Sequence, residues 1–213
     1  MAGIFTRSRS HANGICSRPG LARVTAAAKV TAYLAGPDVF LPAAAAHARR
    51  KVAICARYGI EGRAPLSEDL DGDISHGEAA WRAIYAGCLA MMEACDCAIA
   101  NLTPFRGASA DAGTLVELGW FLGRGRPVFG YSNSPLPFAE RSRKQVATVP
   151  DPVPGLAVEG HGLPDNLMIS GAVLQGGGHG MVLPLDGRER AFDALDVFER
   201  CVALAAARLG CRP

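Results

Sequence analysis

Two carboxylates, Asp111 and Glu117, carry the chemistry that this sequence offers most clearly. They lie six residues apart in the segment DAGTLVELG (111–119), which opens a predicted helix. A retaining glycosyl transfer needs an ionised carboxylate that attacks the anomeric carbon, and a second carboxyl group roughly 5 Å away that protonates the leaving group. We expect Glu117 near the end of the first helical turn, where the helix N-terminus favours its ionised form, and Asp111 in the loop as the proton donor. A purely structural interpretation stays open, in which Glu117 caps backbone N–H groups and Asp111 is a turn residue.

Four polar segments follow short apolar runs, at the points where predicted strands end. In open α/β sheets, ligands bind outside the carboxyl ends of the strands. We therefore expect these segments to surround one site. They are Tyr33 with Gly36-Pro37-Asp38, the acidic loop 67–73, residues 101–107, and residues 131–133.

The chain predicts an α/β fold, because short apolar runs alternate with segments of helical period. Strands are predicted at residues 30–35, 60–66, 97–102 and 127–131, with a fifth candidate at 181–185. Helices are predicted at residues 42–58, 77–94, 114–122, 165–174 and 188–209, with Asp165 as a candidate N-cap of the fourth. Residues 132–164 contain six prolines and little periodicity, and they read as a long loop.

Five motifs in order resemble the nucleoside 2-deoxyribosyltransferase family. They are YLAGPDVF (33–40), AIANLTPFRG (98–107), DAGTLVELG (111–119), RPVFGY (126–131) and DNLMI (165–169). The resemblance spans roughly residues 30–170 and implies a flavodoxin-like parallel sheet of about five strands with helices on both faces. It also implies an enzyme that needs neither a metal nor an organic cofactor.

The resemblance implies a role for each matching residue. Glu117 matches the nucleophile that forms a covalent deoxyribosyl intermediate, Tyr33 a tyrosine that orients it, and Asp111 the group that protonates the leaving base. Asn166 and Met168 match residues that a neighbouring subunit supplies at the sugar 5′-hydroxyl, in a dimer-based homo-oligomer of up to six subunits. The other expected substrate-binding residues are Gly36, Asp38, Phe105, Arg106 and Cys88. Cys88 departs from the Asn or Asp usual nearby, and it is a poor hydrogen-bonding substitute.

The amino-acid composition argues against some classes of binding partner and indicates a cellular compartment. The 213 residues carry a net charge of +2, but residues 1–29 hold five basic residues and no acid, which leaves 17 basic against 20 acidic residues in the body. Residues 30–213 thus carry a net charge near −3, which argues against nucleic acid as a binding partner. Seven cysteines form no recognisable framework, the five histidines show no metal-ligand spacing, and no apolar run is long enough for a bilayer. We expect a cytoplasmic enzyme in which residues 29–213 form one domain. Residues 1–28 read as a disordered arm, and their Arg- and Ser-rich composition keeps an organellar transit peptide open.

Two alternatives to deoxyribosyl transfer stay open from the sequence. An N-glycoside hydrolase acting on nucleosides or nucleoside 5′-monophosphates would use the same carboxylates, and inward-folded Arg141, Arg143 and Lys144 would favour a 5′-phosphate. A non-catalytic nucleoside sensor belongs to another class, and the Asp111/Glu117 pair argues against it.

Overall fold

The computed structural model describes residues 29–65 and 77–212. The predicted arm at residues 1–28 and the acidic loop at 67–73 lie outside these residues.

Four short parallel strands form one sheet in the order β2-β1-β3-β4. They are β1 (Val30–Tyr33), β2 (Ile60–Arg63), β3 (Cys97–Asn101) and β4 (Val128–Tyr131). Every residue of β3 and β4 is buried, as expected for parallel strands covered on both faces. The predicted fifth strand is reduced to one parallel bridge between Val182 and Tyr131. Pro184 follows two residues later and has no N–H with which to extend a ladder.

Helices cover both faces of the sheet. One face packs against α1 (Ala44–Arg57) and α6 (Asp196–Leu209), the other against α2 (Glu78–Glu93), α3 (Ala112–Gly123) and α5 (Leu167–Gly177). This architecture confirms the predicted α/β fold. Among the residues that the structure describes, no helix is both long enough and apolar enough to cross a bilayer.

The prediction of an uninterrupted loop at residues 132–164 is wrong, because α4 (Phe138–Thr148) lies within it. This helix docks through a charged side chain. Arg141 is 8% exposed and donates hydrogen bonds to the carbonyl oxygens of Ala108, Leu136 and Pro164. These bonds attach α4 to the loop after β3.

The helix α5 begins two residues later than predicted, and its N-cap is Asn166 instead of Asp165. The carboxylate of Asp165 is already used elsewhere, because it accepts hydrogen bonds from Ser109 Oγ at 2.6 Å and from the Ala110 N–H at 3.0 Å. The last helix likewise begins at Asp196, and residues 188–195 are not helical.

Two glycines let α5 lie directly against β4. An added Cβ at Gly177 would come within 2.7 Å of the Val128 carbonyl oxygen, and one at Gly176 would overlap the Val128 side chain. The helix and the strand therefore meet at backbone distance.

Candidate active site

The hydroxyl of Tyr33 donates a hydrogen bond of 2.5 Å to Oε1 of Glu117. Tyr33 is the last residue of β1 and is fully buried, so the strand and the core fix the position of its ring. Glu117 projects from α3, and Phe121, one turn further along that helix, packs against the Tyr33 ring with centroids 6.0 Å apart. The contact that the resemblance implies is thus present.

Glu117 lies in the second turn of α3, beyond the first turn that spacing predicted, because the helix begins at Ala112. Burial raises the pKa of Glu117 to about 7; the Tyr33 hydrogen bond opposes this shift, and the charge of Asp111 adds to it. Desolvation therefore opposes the ionised form that the helix N-terminus is expected to favour.

Asp111 is the N-cap of α3. Its Oδ2 accepts hydrogen bonds from the Thr114 N–H at 2.9 Å and from Thr114 Oγ1 at 3.0 Å. Asp111 thus serves as the cap, a role that the structural interpretation gave to Glu117. Its charge also raises the pKa of Glu117.

Cys88 reaches the same site from α2. Burial raises the pKa of its thiol, the Tyr33 hydroxyl lowers it through a hydrogen bond, and the charge of Glu117 raises it. Cys88 therefore borders both partners of the Tyr33–Glu117 pair.

Asp38 is held inside the protein by Lys51 and His47, which the sequence did not indicate, and by Asn101, which lies in the polar segment predicted at residues 101–107. Its Oδ2 accepts a hydrogen bond from Lys51 Nζ at 2.7 Å, its Oδ1 one from Asn101 Nδ2 at 2.9 Å, and His47 Nε2 lies 3.4 Å from Oδ1. Burial alone would raise the pKa of Asp38, but Lys51, His47 and Asn101 outweigh it and hold the pKa well below the usual range. Both carboxylate oxygens are engaged, so a substrate contact by Asp38 stays a prediction.

One of these residues, Lys51, could have been identified from the sequence. Lys51 follows Ala48 and precedes Ile54 and Cys55 on the inward face of α1, and its side chain is only 2% exposed. A lysine within an apolar stripe indicates a buried partner, because an unpaired ammonium is costly to bury.

Gly36 lies beside this ion pair with φ of +149°. An added Cβ would approach Asn101 Cβ to 2.7 Å and Asp38 Oδ2 to 2.9 Å. Gly36 therefore allows the turn after β1 to pack against β3, and this packing fixes the backbone next to Tyr33.

Phe105 and Arg106 form an aromatic and cationic surface at the carboxyl ends of the strands. Phe105 stacks on Phe40 with ring centroids 5.5 Å apart and an interplanar angle of 12°. The Arg106 guanidinium lies 4.7 Å from the Phe105 centroid and 5.1 Å from that of Phe40. Phe40, which is 58% exposed, is a further residue that the sequence did not indicate as part of the site.

Asn166 and Met168 lie at the start of α5, where the Met168 side chain is 72% exposed. The Asn166 side chain caps the helix, with Oδ1 accepting from the Met168 N–H at 3.0 Å. Asp165, its neighbour, bonds to the Ala110 N–H next to Asp111. The structure therefore joins this segment to the loop before Glu117 but leaves Met168 facing outward.

No group of three or more potential metal ligands is placed to hold a metal ion in the described part of the chain.

Comparisons with known proteins place this arrangement in a family. The family model described as nucleoside 2-deoxyribosyltransferase matches residues 32–168. The chain belongs to that family. An uncharacterised protein of Schizosaccharomyces pombe is 32% identical over 168 residues, which are 68% of this chain and 78% of the relative. The chain also resembles the solved structure of a 2-desoxiribosyltransferase from Leishmania mexicana, with 28% identity, a TM-score of 0.55, and coverage of 84% of this chain and 97% of that one. The resemblance inferred from the five motifs is confirmed.

Proposed function

We propose that this member of the nucleoside 2-deoxyribosyltransferase family cleaves the N-glycosidic bond of 2′-deoxynucleosides and transfers the deoxyribose to an acceptor base. The observation that carries the proposal is the 2.5 Å hydrogen bond from Tyr33 to Oε1 of Glu117. It fixes a partly buried carboxylate at the edge of the sheet where α/β proteins bind ligands.

The reaction proceeds in two displacements. In the reactive form of the site, Glu117 is ionised and Asp111 carries a proton. Glu117 attacks C1′ of the sugar, the bond from C1′ to the base nitrogen breaks, and Asp111 gives its proton to the leaving base. The sugar is then held as an ester of Glu117. A nitrogen of the acceptor base attacks C1′ and releases the Glu117 carboxylate, and the acceptor's proton returns to Asp111. Tyr33 orients the nucleophile throughout, and no metal or organic cofactor is required.

The surface formed by Phe40, Phe105 and Arg106 suits a nucleobase. Aromatic rings and a guanidinium plane stack on the π-face of any base, because such stacking needs no particular pattern of donors. We also assign Gly36, Asp38 and Cys88 to substrate recognition, as the family resemblance implies. Deoxynucleosides and free bases are therefore the proposed partners.

We further propose that two subunits share each site. The side of the molecule formed by α2, α3 and α5 exposes a set of large apolar residues, which favours association. They are Trp81, Ile84, Tyr85, Val116, Leu167, Met168 and Leu174. Burial of this surface in a homodimer, or in a hexamer built from dimers, would bring Asn166 and Met168 of one subunit to the 5′-hydroxyl end of its partner's site.

Glu117→Gln tests the covalent step. We expect the variant to lose transfer by several orders of magnitude while it stays folded, because an amide cannot act as the nucleophile. Intact-mass spectrometry of the wild-type protein quenched with a deoxynucleoside should show one added deoxyribosyl group, and the variant should show none. Glu93→Gln, a neutralisation of an exposed glutamate on α2, is the matched control and should behave as wild type.

The same assay separates the rival functions. A hydrolase forms the adduct but loses it at the same rate with or without added base, whereas a transferase loses it faster when base is present. A nucleoside sensor binds the ligand and forms no adduct at all. Near-normal turnover by Glu117→Gln would remove this residue from the mechanism.

A further inference from the structure

The carboxylate of Glu159 occupies the N-terminus of α5, beside Asn166. Its Oε1 accepts a hydrogen bond of 2.8 Å from the Leu167 N–H, and its Oε2 accepts one of 2.8 Å from Asn166 Nδ2. Both oxygens thus accept bonds from N–H donors, which is the arrangement of an ionised carboxylate. Within the described ranges, Glu159 forms no ion pair with a lysine, arginine or histidine.

This arrangement reverses the usual preference of a helix N-terminus. Such an end normally favours a phosphate, because its free N–H groups and the helix dipole attract negative charge. In α5 the Leu167 N–H already binds Glu159, and Asn166 Oδ1 binds the Met168 N–H. A phosphate approaching Asn166 would therefore meet a negative charge in place of free donors.

The basic residues of α4 do not offset that charge. Arg141 folds inward, but three backbone carbonyls and Asp165, 3.5 Å away, hold its guanidinium. Lys144 pairs with Glu140 at 2.9 Å, and Arg143 is exposed. The inward-folded cations that would favour a 5′-phosphate are thus absent at Asn166 among the described residues.

Glu159 also engages one of the two N–H groups of the Asn166 amide. The second lone pair of Oδ1 is an acceptor to which a sugar 5′-hydroxyl can donate. An ionised phosphate carries only acceptors and finds no partner at this oxygen. At the remaining N–H of Nδ2 it would lie beside the Glu159 carboxylate.

We propose that Glu159 restricts the substrates of this protein to nucleosides with a free 5′-hydroxyl by excluding 5′-phosphates. The inference rests on the proposed function, which places Asn166 at the 5′ end of the sugar. It names a specificity-determining residue for the choice between nucleosides and nucleoside 5′-monophosphates, and it favours nucleosides.

The test compares kcat/KM for a deoxynucleoside and for its 5′-monophosphate in the wild-type protein, Glu159→Gln and Glu159→Ala. Two unit charges 4 Å apart in water interact by about 1 kcal/mol, which is a factor of about five. We therefore expect both variants to raise the ratio of monophosphate to nucleoside activity at least about fivefold. Glu61→Gln, which removes an exposed carboxylate from the edge strand β2, should leave the ratio unchanged.

A second readout needs no variant. Salt screens exposed charges, so the wild-type preference for the nucleoside should shrink as ionic strength rises, and the preference of Glu159→Gln should not. If both activities of the variants fall together with an unchanged ratio, Glu159 only positions Asn166 and the proposal is overturned. Equal wild-type use of both substrates would overturn it too. Neither result touches the covalent role of Glu117, which the adduct experiment decides independently.

Discussion

At the scale of single residues, Glu117 is a carboxyl group under opposing influences. Burial and the charge of Asp111 raise its pKa, to a net value of about 7, and the hydrogen bond from Tyr33 lowers it. A nucleophile must be ionised, so kcat/KM should rise with pH through a limb near pH 7. Tyr33 thus adjusts the fraction of active enzyme in addition to orienting the carboxylate.

Tyr33→Phe should move that limb. Removing the hydroxyl removes the influence that lowers the pKa of Glu117, so the rising limb should shift to higher pH, with a loss at neutral pH smaller than that of Glu117→Gln. The pH profile of kcat/KM measures the shift. Tyr58→Phe removes a hydroxyl that bonds to Glu199 at the far end of α1, and its profile should match wild type. An unchanged limb in Tyr33→Phe would contradict the assigned hydrogen bond.

The sequence could predict which residues meet at the site, but not their energetics. The family resemblance of the motifs that contain Tyr33 and Glu117 implied their contact. The two motifs meet because β1, which ends at Tyr33, pairs directly with β3, the strand before α3. The raised pKa of Glu117 depends on how deeply α2, α3 and β1 bury it. No spacing rule along one segment reports that burial.

At the scale of elements, the turn after β1 and the helix α1 are joined by the buried pair of Asp38 and Lys51. Lys51→Met should destabilise the protein by about 3–5 kcal/mol, because it leaves a buried carboxylate without its cation. Urea unfolding at neutral pH measures the change. The double variant Lys51→Met with Asp38→Asn should recover part of the lost free energy of unfolding. The control Lys144→Met breaks the exposed pair with Glu140 and should lower the free energy of unfolding by less than about 1 kcal/mol.

The pH dependence of this pair has a definite sign. The pKa of Asp38 is lower in the folded protein than in the unfolded chain, so its stabilising contribution is present above the ordinary carboxyl pKa of 3.8. That contribution is lost as pH falls from there toward the native pKa. A midpoint of Lys51→Met equal to that of wild type at neutral pH would show that the pair contributes nothing net.

The features that could not be predicted from the sequence are those held in place by polar contacts. Helix α4 has few apolar residues, and its buried anchor is Arg141, which hydrophobic periodicity counts as exposed. Asp165 read as a helix cap because its residue type suits one, but Ser109 and Ala110, more than fifty residues earlier, take its carboxylate. Long-range pairing of this kind leaves no local pattern.

At the scale of the whole molecule, the proposed shared site predicts complementation. Glu117→Gln and Asn166→Ala, each crippled alone, should regain activity when mixed under conditions that exchange subunits. Half of the dimers formed from an equal mixture are mixed, and each mixed dimer holds one intact site, so activity should approach about a quarter of wild type. A coupled transfer assay measures the gain, and native mass spectrometry confirms exchange.

The control for this experiment mixes Glu117→Gln with a chain that carries both substitutions. No dimer of that pair contains an intact Glu117, so no activity should return. If exchange is confirmed and the first mixture also stays inactive, each site lies within one chain, and the assignment of Asn166 to a partner's site is wrong.

The backbone-distance contact of α5 with β4 bears on how this protein can diversify over generations. A replacement at Gly176 or Gly177 would push a side chain into Val128. Such a substitution would displace the whole of α5 from the sheet. An exposed position such as Phe40 faces no comparable barrier. Inherited change in base preference should therefore accumulate on the loops after β1 and β3, while the segment that presents Asn166 is passed on nearly unaltered.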